Sequence, residues 1–227
     1  MQKENVHMII DISDIMKNPE VKALLEASAI QMTALGYTEH SFRHCRLVSN
    51  KCGEILGMTG SDEDEITLGR IAGYLHDIGN AVNRTNHPDT GALLAYDLLL
   101  RKGLEYKDAV TIMMAIANHD EGAGIPVNRI AAALILSDKA DVHRSRVTNK
   151  IIESYDIHDR VNYAATRSTL QIDPETKVAL LDIEIDTEIS PIMDYFEIFL
   201  NRMKMCRNAA GYLGLKFRLL INGTHLV

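Results

Sequence analysis

An adjacent histidine and aspartate, His76-Asp77, sit inside the apolar stretch Ile71 to Asn80, Ile-Ala-Gly-Tyr-Leu-His-Asp-Ile-Gly-Asn. Ile71, Leu75 and Ile78 recur at helical spacing, and Gly69, Ala72 and Gly73 are small enough to let neighbouring helices approach, so the doublet is expected on a helix packed into a core. A charge placed there needs a partner. The stretch holds no basic residue, and a divalent metal ion is the partner that imidazole and carboxylate both ligate well. Four more metal-competent side chains, His44, His87, His119 and Asp138, stand within or at the edge of expected helices. A single histidine on a helix is usually a hydrogen-bonded core or surface residue, and His7, His143, His158 and His225 are read that way. The six together form an ordered pattern of a different kind: a His, a His-Asp doublet, a His-Pro helix start, a further His, and an Asp after an apolar helix.

The elements that must carry these residues are mostly helices. Ile12, Ile15 and Met16, then Val21, Leu24, Leu25 and Ile30, mark two short amphipathic helices between Ile9 and Leu35, divided at Asn18-Pro19. A helix from about Glu39 to Leu56 holds His40 and His44 one turn apart. Ser61-Asp62-Glu63-Asp64 is an acidic start for the central helix, and Gly79 is its expected stop. His87-Pro88 opens the next helix, with Ala92, Leu93, Tyr96, Leu99 and Leu100 inward. A helix from about Lys107 to His119 has Val110, Met113, Met114 and Ala117 as its inner face. After the turn Glu121-Gly122-Ala123-Gly124-Ile125-Pro126, an apolar helix spans about Val127 to Val142 and carries Asp138. Past Arg160 the pattern changes. Leu170 and Ile172, then Leu181, Ile183 and Ile185, alternate around the turn Asp173-Pro174-Glu175-Thr176 and predict a hairpin. Ser190-Pro191 starts a helix with the stripe Met193, Phe196, Phe199, Leu200, Met203 and Ala210, and Leu215 to Ile221 alternates as a final strand. The expected class is mainly α: a helical metal-binding domain over 1–160 and a small α+β unit, strand-strand-helix-strand, over 161–227.

Composition narrows the function. The chain has 227 residues, a net charge of −7, no tryptophan and three cysteines. The negative charge speaks against general nucleic-acid binding. Cys45, Cys52 and Cys206 form no C-x-x-C pair and are odd in number, so neither a disulfide framework nor a thiolate zinc site is expected. No apolar run is long enough for a signal-peptide core or a bilayer span. These features fit a soluble protein of the reducing cytoplasm, without a membrane partner.

The order of motifs resembles the HD superfamily of metal-dependent phosphohydrolases: His44, then His76-Asp77-Ile78-Gly79, His87-Pro88 with Gly91 and two leucines after it, His119 and Asp138. The likeness runs from about His44 to Asp141. His44 rather than His40 matches the first histidine, because Arg46 and Val48 follow it in the Arg-x-Val pattern; His40 reads as a group that supports a ligand from behind or, the favoured reading, as a residue at the helix N-terminus. The resemblance implies an HD-type helical bundle in which His44, His76, Asp77 and Asp138 hold one metal, with His87, His119 and the bridging Asp77 holding a second. His119 stands between Asn118 and Asp120, so the paired-histidine motif of the family is incomplete and the second ion rests on fewer matches. Ile125 replaces the tyrosine, and Asn80 the lysine, that cyclic-dinucleotide phosphodiesterases of this superfamily carry, which speaks against that substrate.

A centre of one or two divalent ions (Mn, Fe, Co, Mg or Zn) sharing Asp77 would lower the pKa of a water from about 15.7 towards neutrality and direct it at phosphorus. The leaving group then needs a proton or a cation. Lys139 and Arg84 are the nearest in sequence, though each also reads as a solvated surface residue. The run Lys139, His143, Arg144, Arg146, Lys150 reads as a wet helix face, and Asp182, Glu184 and Asp186 as the outer face of a strand. The expected activity is hydrolysis of a small phosphate mono- or diester, a nucleotide among the candidates. The alternatives are a di-iron oxygenase of the same superfamily and a non-catalytic regulatory module stabilised by its metal. An edge of the small sheet is also free to pair with a second copy as a homodimer.

Overall fold

Asn18 and Pro19 split the first helical stretch in the computed structural model, which describes residues 10–122, 124–149, 151 and 155–226. Helix α1 (Ile12–Lys17) stops at Asn18, whose side chain accepts from the backbone N–H groups of Glu20 and Val21 to start α2 (Pro19–Ala34). Helix α3 (Phe42–Met58) begins at a Ser41 cap, so His40 lies just ahead of it. Asp62 caps α4 (Glu63–Leu75), and Glu63, Asp64 and Glu65 sit at the positive end of its dipole. Of the residues named from sequence, His7, Ile9, Ala123 and Lys150 lie outside the described residues.

The doublet is not inside a helix. Helix α4 ends at Leu75, His76 keeps helical dihedrals, and Asp77 turns to φ −99°, ψ 2°, opening a 3-10 turn over Ile78–Ala81. The stop expected at Gly79 therefore falls four residues early, and Gly79 serves a different purpose. A Cβ there would lie 2.0 Å from the carbonyl oxygen of His87 and 2.5 Å from the nitrogen of Gly91. Only glycine lets the 3-10 turn press onto the first turn of α5 (His87–Arg101). Gly73 does the same for α3 and α4, since its Cβ would stand 2.8 Å from the Ser49 Cα.

Helices α6 (Tyr106–Ala117) and α7 (Arg129–Lys139) complete the bundle around an apolar cluster to which α7 contributes an unbroken buried run, Ile130 to Ser137. Arg129 ties α7 to the α3–α4 connection, donating to the Thr59 carbonyl and to the hydroxyls of Thr59 and Ser61. Among the described residues no helix is long and apolar enough to cross a membrane.

A short helix not expected from sequence, α8 (Ile157–Ala164), leads into the sheet. Strands β1 (Ala165–Asp173) and β2 (Val178–Ile185) form the predicted antiparallel hairpin. Leu170, Ile172, Leu181, Ile183 and Ile185 face inward, while Arg167 pairs with Asp182 and Glu184 on the outer face. Strand β3 (Lys216–Ile221) runs parallel to β2, and α9 (Ile192–Tyr212) is the crossover such a pair needs. A two-residue β4 (Thr224–His225) extends the order to β1-β2-β3-β4. The buried stripe of α9 is Tyr195, Phe199, Met203, Cys206 and Ala210, whereas Met193 and Leu200, expected in it, are exposed. Helix α9 packs on β3 with one side and on α7 with another, which joins the sheet to the bundle.

Candidate metal centre

Six side chains meet where the ends of α4 to α7 converge beside the first turn of α3. His44 comes from α3, His76 and Asp77 from the end of α4, His87 from the first residue of α5, His119 from just beyond α6, and Asp138 from the last turn of α7. All but Asp138 are essentially inaccessible, and the Asp138 side chain is 11% exposed. The Nε2 of His44 lies 3.3 Å from the Nε2 of His76, 3.2 Å from Asp138 Oδ1 and 3.7 Å from Asp77 Oδ2. Asp77 reaches His76 Nε2 with Oδ2 at 3.2 Å and His87 Nε2 with Oδ1 at 3.6 Å. Three overlapping triads have ligand atoms within 4.8 Å of one another: His44-His76-Asp77, His76-His119-Asp138 and Asp77-His87-His119.

The outer nitrogens decide what the inner ones can do. Nδ1 of His76 faces the carbonyl of Gly73 at 2.9 Å, that of His87 the carbonyl of Arg84 at 3.1 Å, and that of His119 the carbonyl of Ile116 at 2.6 Å. A carbonyl only accepts, so each Nδ1 carries the hydrogen and each Nε2 turns a lone pair inward. His44 Nδ1 meets the Asp141 carboxylate at 2.7 Å, to the same effect. With both imidazoles neutral, the His44 and His76 Nε2 atoms 3.3 Å apart would turn two lone pairs on each other, so without a cation one of them must take up a proton, and the buried Asp77 Oδ2 has no hydrogen-bond partner. Both features are costly in a core and both vanish when a cation sits among these atoms. The donor set, imidazole nitrogen with carboxylate oxygen, suits a divalent transition metal.

The protonation pattern tells the same story. Burial would raise the Asp77 carboxyl, but His76, His40 and His44 outweigh it and hold it well below the usual carboxylate range. Burial likewise works against Asp138, where Lys139 and the two histidines win and hold it low. Burial would lower the His76 imidazole, yet Asp77 and Asp138 lift it to about 10. His119, with burial and the neighbouring His76 and Lys139 cations against it, is pushed down to about 3. Without a metal, the positive charge that answers the paired carboxylates comes from the Lys139 ammonium beside Asp138 and from a proton on His76.

Asp77, His87, His119 and Asp138 open onto a cavity of about 610 Å³. Lys139 and Arg84 both line it. Lys139 is buried, with Nζ 2.8 Å from Asp138 Oδ2 and 3.2 Å from Asp120 Oδ1. Arg84 Nη1 lies 3.3 Å from Asn80 Oδ1, and Asn80 in turn donates to Asp77 Oδ1 at 2.9 Å. The wet helix face expected of the run from Lys139 to Lys150 is contradicted at Lys139, which is buried. Arg146 is buried as well, because its guanidinium is fully used on the carbonyls of Glu39 and Asp141 and on the Asp141 carboxylate.

Residues 41–163 match the family described as HD domain, more than half of the chain. The chain belongs to the HD-domain family. Over 175 residues it is 30% identical to an uncharacterized protein of Methanocaldococcus jannaschii, a stretch that covers 66% of each chain. It is 29% identical over 125 residues to a ribonuclease Y of Pediococcus pentosaceus, 54% of this chain but 21% of that protein. A solved structure described as a predicted HD superfamily hydrolase from an uncultured Thermotogales bacterium is 21% identical, with a TM-score of 0.44, and covers 59% of this chain and 75% of its own. The HD-domain match ends within α8, so α9 and the sheet lie outside it.

Several residues at the centre escaped the sequence reading. Asp141 orients His44, and Asp120 pairs with Lys139. His40, for which a helix-start reading was favoured, and His158, read as a hydrogen-bonded core or surface residue, both line the cavity, as do Asp156, Asp159 and Asn162 of the α8 segment. Asp141, His40 and Asp120 each had a signal, as a second carboxylate three positions past Asp138, a histidine one turn ahead of His44 and a carboxylate adjoining His119; the α8 residues become neighbours only through the packing of segments distant in sequence.

Proposed function

We propose that the protein is a metal-dependent phosphohydrolase that cleaves a small phosphate mono- or diester. The observation that carries the reading is that four buried histidines, each with its Nδ1 already committed, and the carboxylates of Asp77 and Asp138 form three overlapping triads of ligand atoms, with the His44 and His76 Nε2 atoms facing an Asp77 Oδ2 that has no hydrogen-bond partner. His44, His76, Asp77 and Asp138 would hold one divalent ion, and His87 and His119, with Asp77, a second. When bound, such ions supply positive charge to phosphate oxygens and acidify water at neutral pH.

The rest of the chemistry belongs to the chain. Asn80 fixes Asp77 through Oδ1 and leaves Oδ2 for the centre. Asp141 fixes His44, and Lys139 fixes Asp138. Burial works against the Lys139 ammonium, but Asp138 and Asp120 more than offset it, so Lys139 stays charged and acts as a cation rather than a proton donor. Arg84, half-buried at the cavity wall, offers a permanent cation to the phosphate. The buried floor keeps bulk water from the reacting atoms.

The test is phosphate release from an aryl phosphate and a panel of nucleotides by protein loaded with manganese, iron or cobalt. Hydrolysis that Asp77→Ala abolishes is the expected result. Oxygen uptake without phosphate release, or tight metal binding with no turnover across the panel, refutes it.

A further inference from the structure

Helix α9 contributes one side chain to the cavity from outside the family-matched residues, and that side chain is a guanidinium. Arg202 lies in the same cavity wall as Asp77, His87 and His119. Its Cζ stands 4.4 Å from the ring centroid of Phe199, which is fully buried, so the guanidinium plane is held by a fixed platform. Only Nε is engaged, by Glu121 Oε1 at 2.5 Å; among the described residues Nη1 and Nη2 make no hydrogen bond. The neighbouring cations are differently employed. Lys139 is held by Asp138 and Asp120, and Arg84 by Asn80, with Asp120 at 3.9 Å. Arg202 is also near enough to Lys139 to push against its charge, although Asp138 and Asp120 prevail over it and over burial. The carboxylates of Asp138 and Asp120 already answer Lys139, whereas Arg202 faces the cavity with two free donors in a planar fork, the geometry that receives an anion.

We propose that Arg202 determines specificity by reading a second anionic group on the substrate, a carboxylate or further phosphate, with its two free Nη nitrogens, in competition with Glu121 for its charge. This rests on the phosphohydrolase reading of the same cavity. A volume of about 610 Å³ is ample for a phosphate ester that carries such a group. Glu121, on the loop that follows His119, is the built-in competitor. A substrate without the second anion leaves Arg202 to Glu121 alone, and a substrate with it draws on the same guanidinium charge that Glu121 now holds.

Glycerol 3-phosphate and 3-phosphoglycerate form the probe pair, since they differ by a neutral hydroxymethyl against a carboxylate. Both are measured with the metal-loaded full chain, by kcat/KM and by calorimetric binding. The expected wild-type ratio favours 3-phosphoglycerate by about 10-fold, the size of one charge-assisted contact. Arg202→Gln brings the ratio towards one, and Arg202→Lys restores part of it. Glu121→Gln raises the ratio, because it frees the guanidinium. A purely structural ion pair would move both variants in the same direction. A wild-type ratio near one, an unchanged ratio in Arg202→Gln, or same-direction shifts in the two variants overturn the proposal. Binding that follows the expected ratios without turnover sinks the hydrolase reading and leaves Arg202 in its role.

Discussion

Gly79→Ala tests whether the site depends on backbone contact between two elements rather than on its ligands alone. The added Cβ would meet the His87 carbonyl oxygen at 2.0 Å and the Gly91 nitrogen at 2.5 Å, where contacts under 3.0 Å do not occur. These are backbone atoms that no rotamer can move, so the 3-10 turn and the first turn of α5 must part by about 1 Å, and overpacking of this kind costs about 1–3 kcal/mol. The same displacement carries His87 away from Asp77, whose Oδ1 lies 3.6 Å from His87 Nε2. His44 and His76 belong to α3 and α4 and are not on the displaced turn. The expected result is a lower midpoint in thermal unfolding, together with loss of one equivalent of metal by elemental analysis while the first is retained. A variant that keeps its melting temperature and binds as much metal as the parent refutes the reasoning.

Asp141→Ala removes the acceptor that fixes His44 Nδ1 and should weaken metal binding about 10–100-fold in a chelator competition; unchanged affinity would show that Asp141 serves Arg146 alone. Arg129→Ala strips three hydrogen bonds from the α3–α4 connection and should cost about 1–3 kcal/mol in urea unfolding. In metal-stripped protein, His76 at about 10 binds its proton more tightly folded than unfolded, so its stabilisation is complete below about pH 6.5 and is lost as pH rises towards 10. His119 and His40, each near 3 through burial first, act in the opposite sense and withdraw stability as pH falls from about 6.5 towards 3. Stripped protein should therefore be most stable near neutrality, and a stability that climbs steadily from pH 7 to 10 would contradict the assignment of His76. Metal uptake should release protons below pH 10, with affinity rising as pH rises.

The fold was legible wherever one face of an element differs from the other. The β1–β2 hairpin could be read from alternation because Arg167, Asp182 and Glu184 mark the wet face. The existence of α6 was equally plain, but its phase was not. Its segment is apolar on nearly all sides, and the fully buried residues prove to be Ala109, Ile112, Ala115 and Ile116, while of the expected face Met113 and Ala117 pack against the core only in part and Met114 is exposed. Periodicity fixes a phase only when polar residues contradict the alternatives. Helix α8 went unread for the converse reason. Asp156, His158, Asp159 and Asn162 give eight residues a loop-like composition, and its polar face turns to the cavity instead of to bulk water.

The candidate ligands were legible because they offend against the local pattern. His76 and Asp77 have no business at the end of an apolar helix, and neither does Asp138 after Ala131 to Leu136, unless something distant pays for their burial. What the sequence could not disclose is which distant groups do so. Lys139 looked like a surface cation because it heads the basic run His143, Arg144, Arg146 and Lys150, yet its partners are Asp138 and Asp120, and Asp120 comes from another part of the chain. Arg146 looked solvated for the same reason and is consumed by carbonyls from Glu39 and Asp141. A conflict between one residue and its local pattern is a sequence-level signal, whereas its resolution depends on tertiary approach. At this centre the approach is governed by Gly73 and Gly79, two positions whose chemistry is the absence of a side chain.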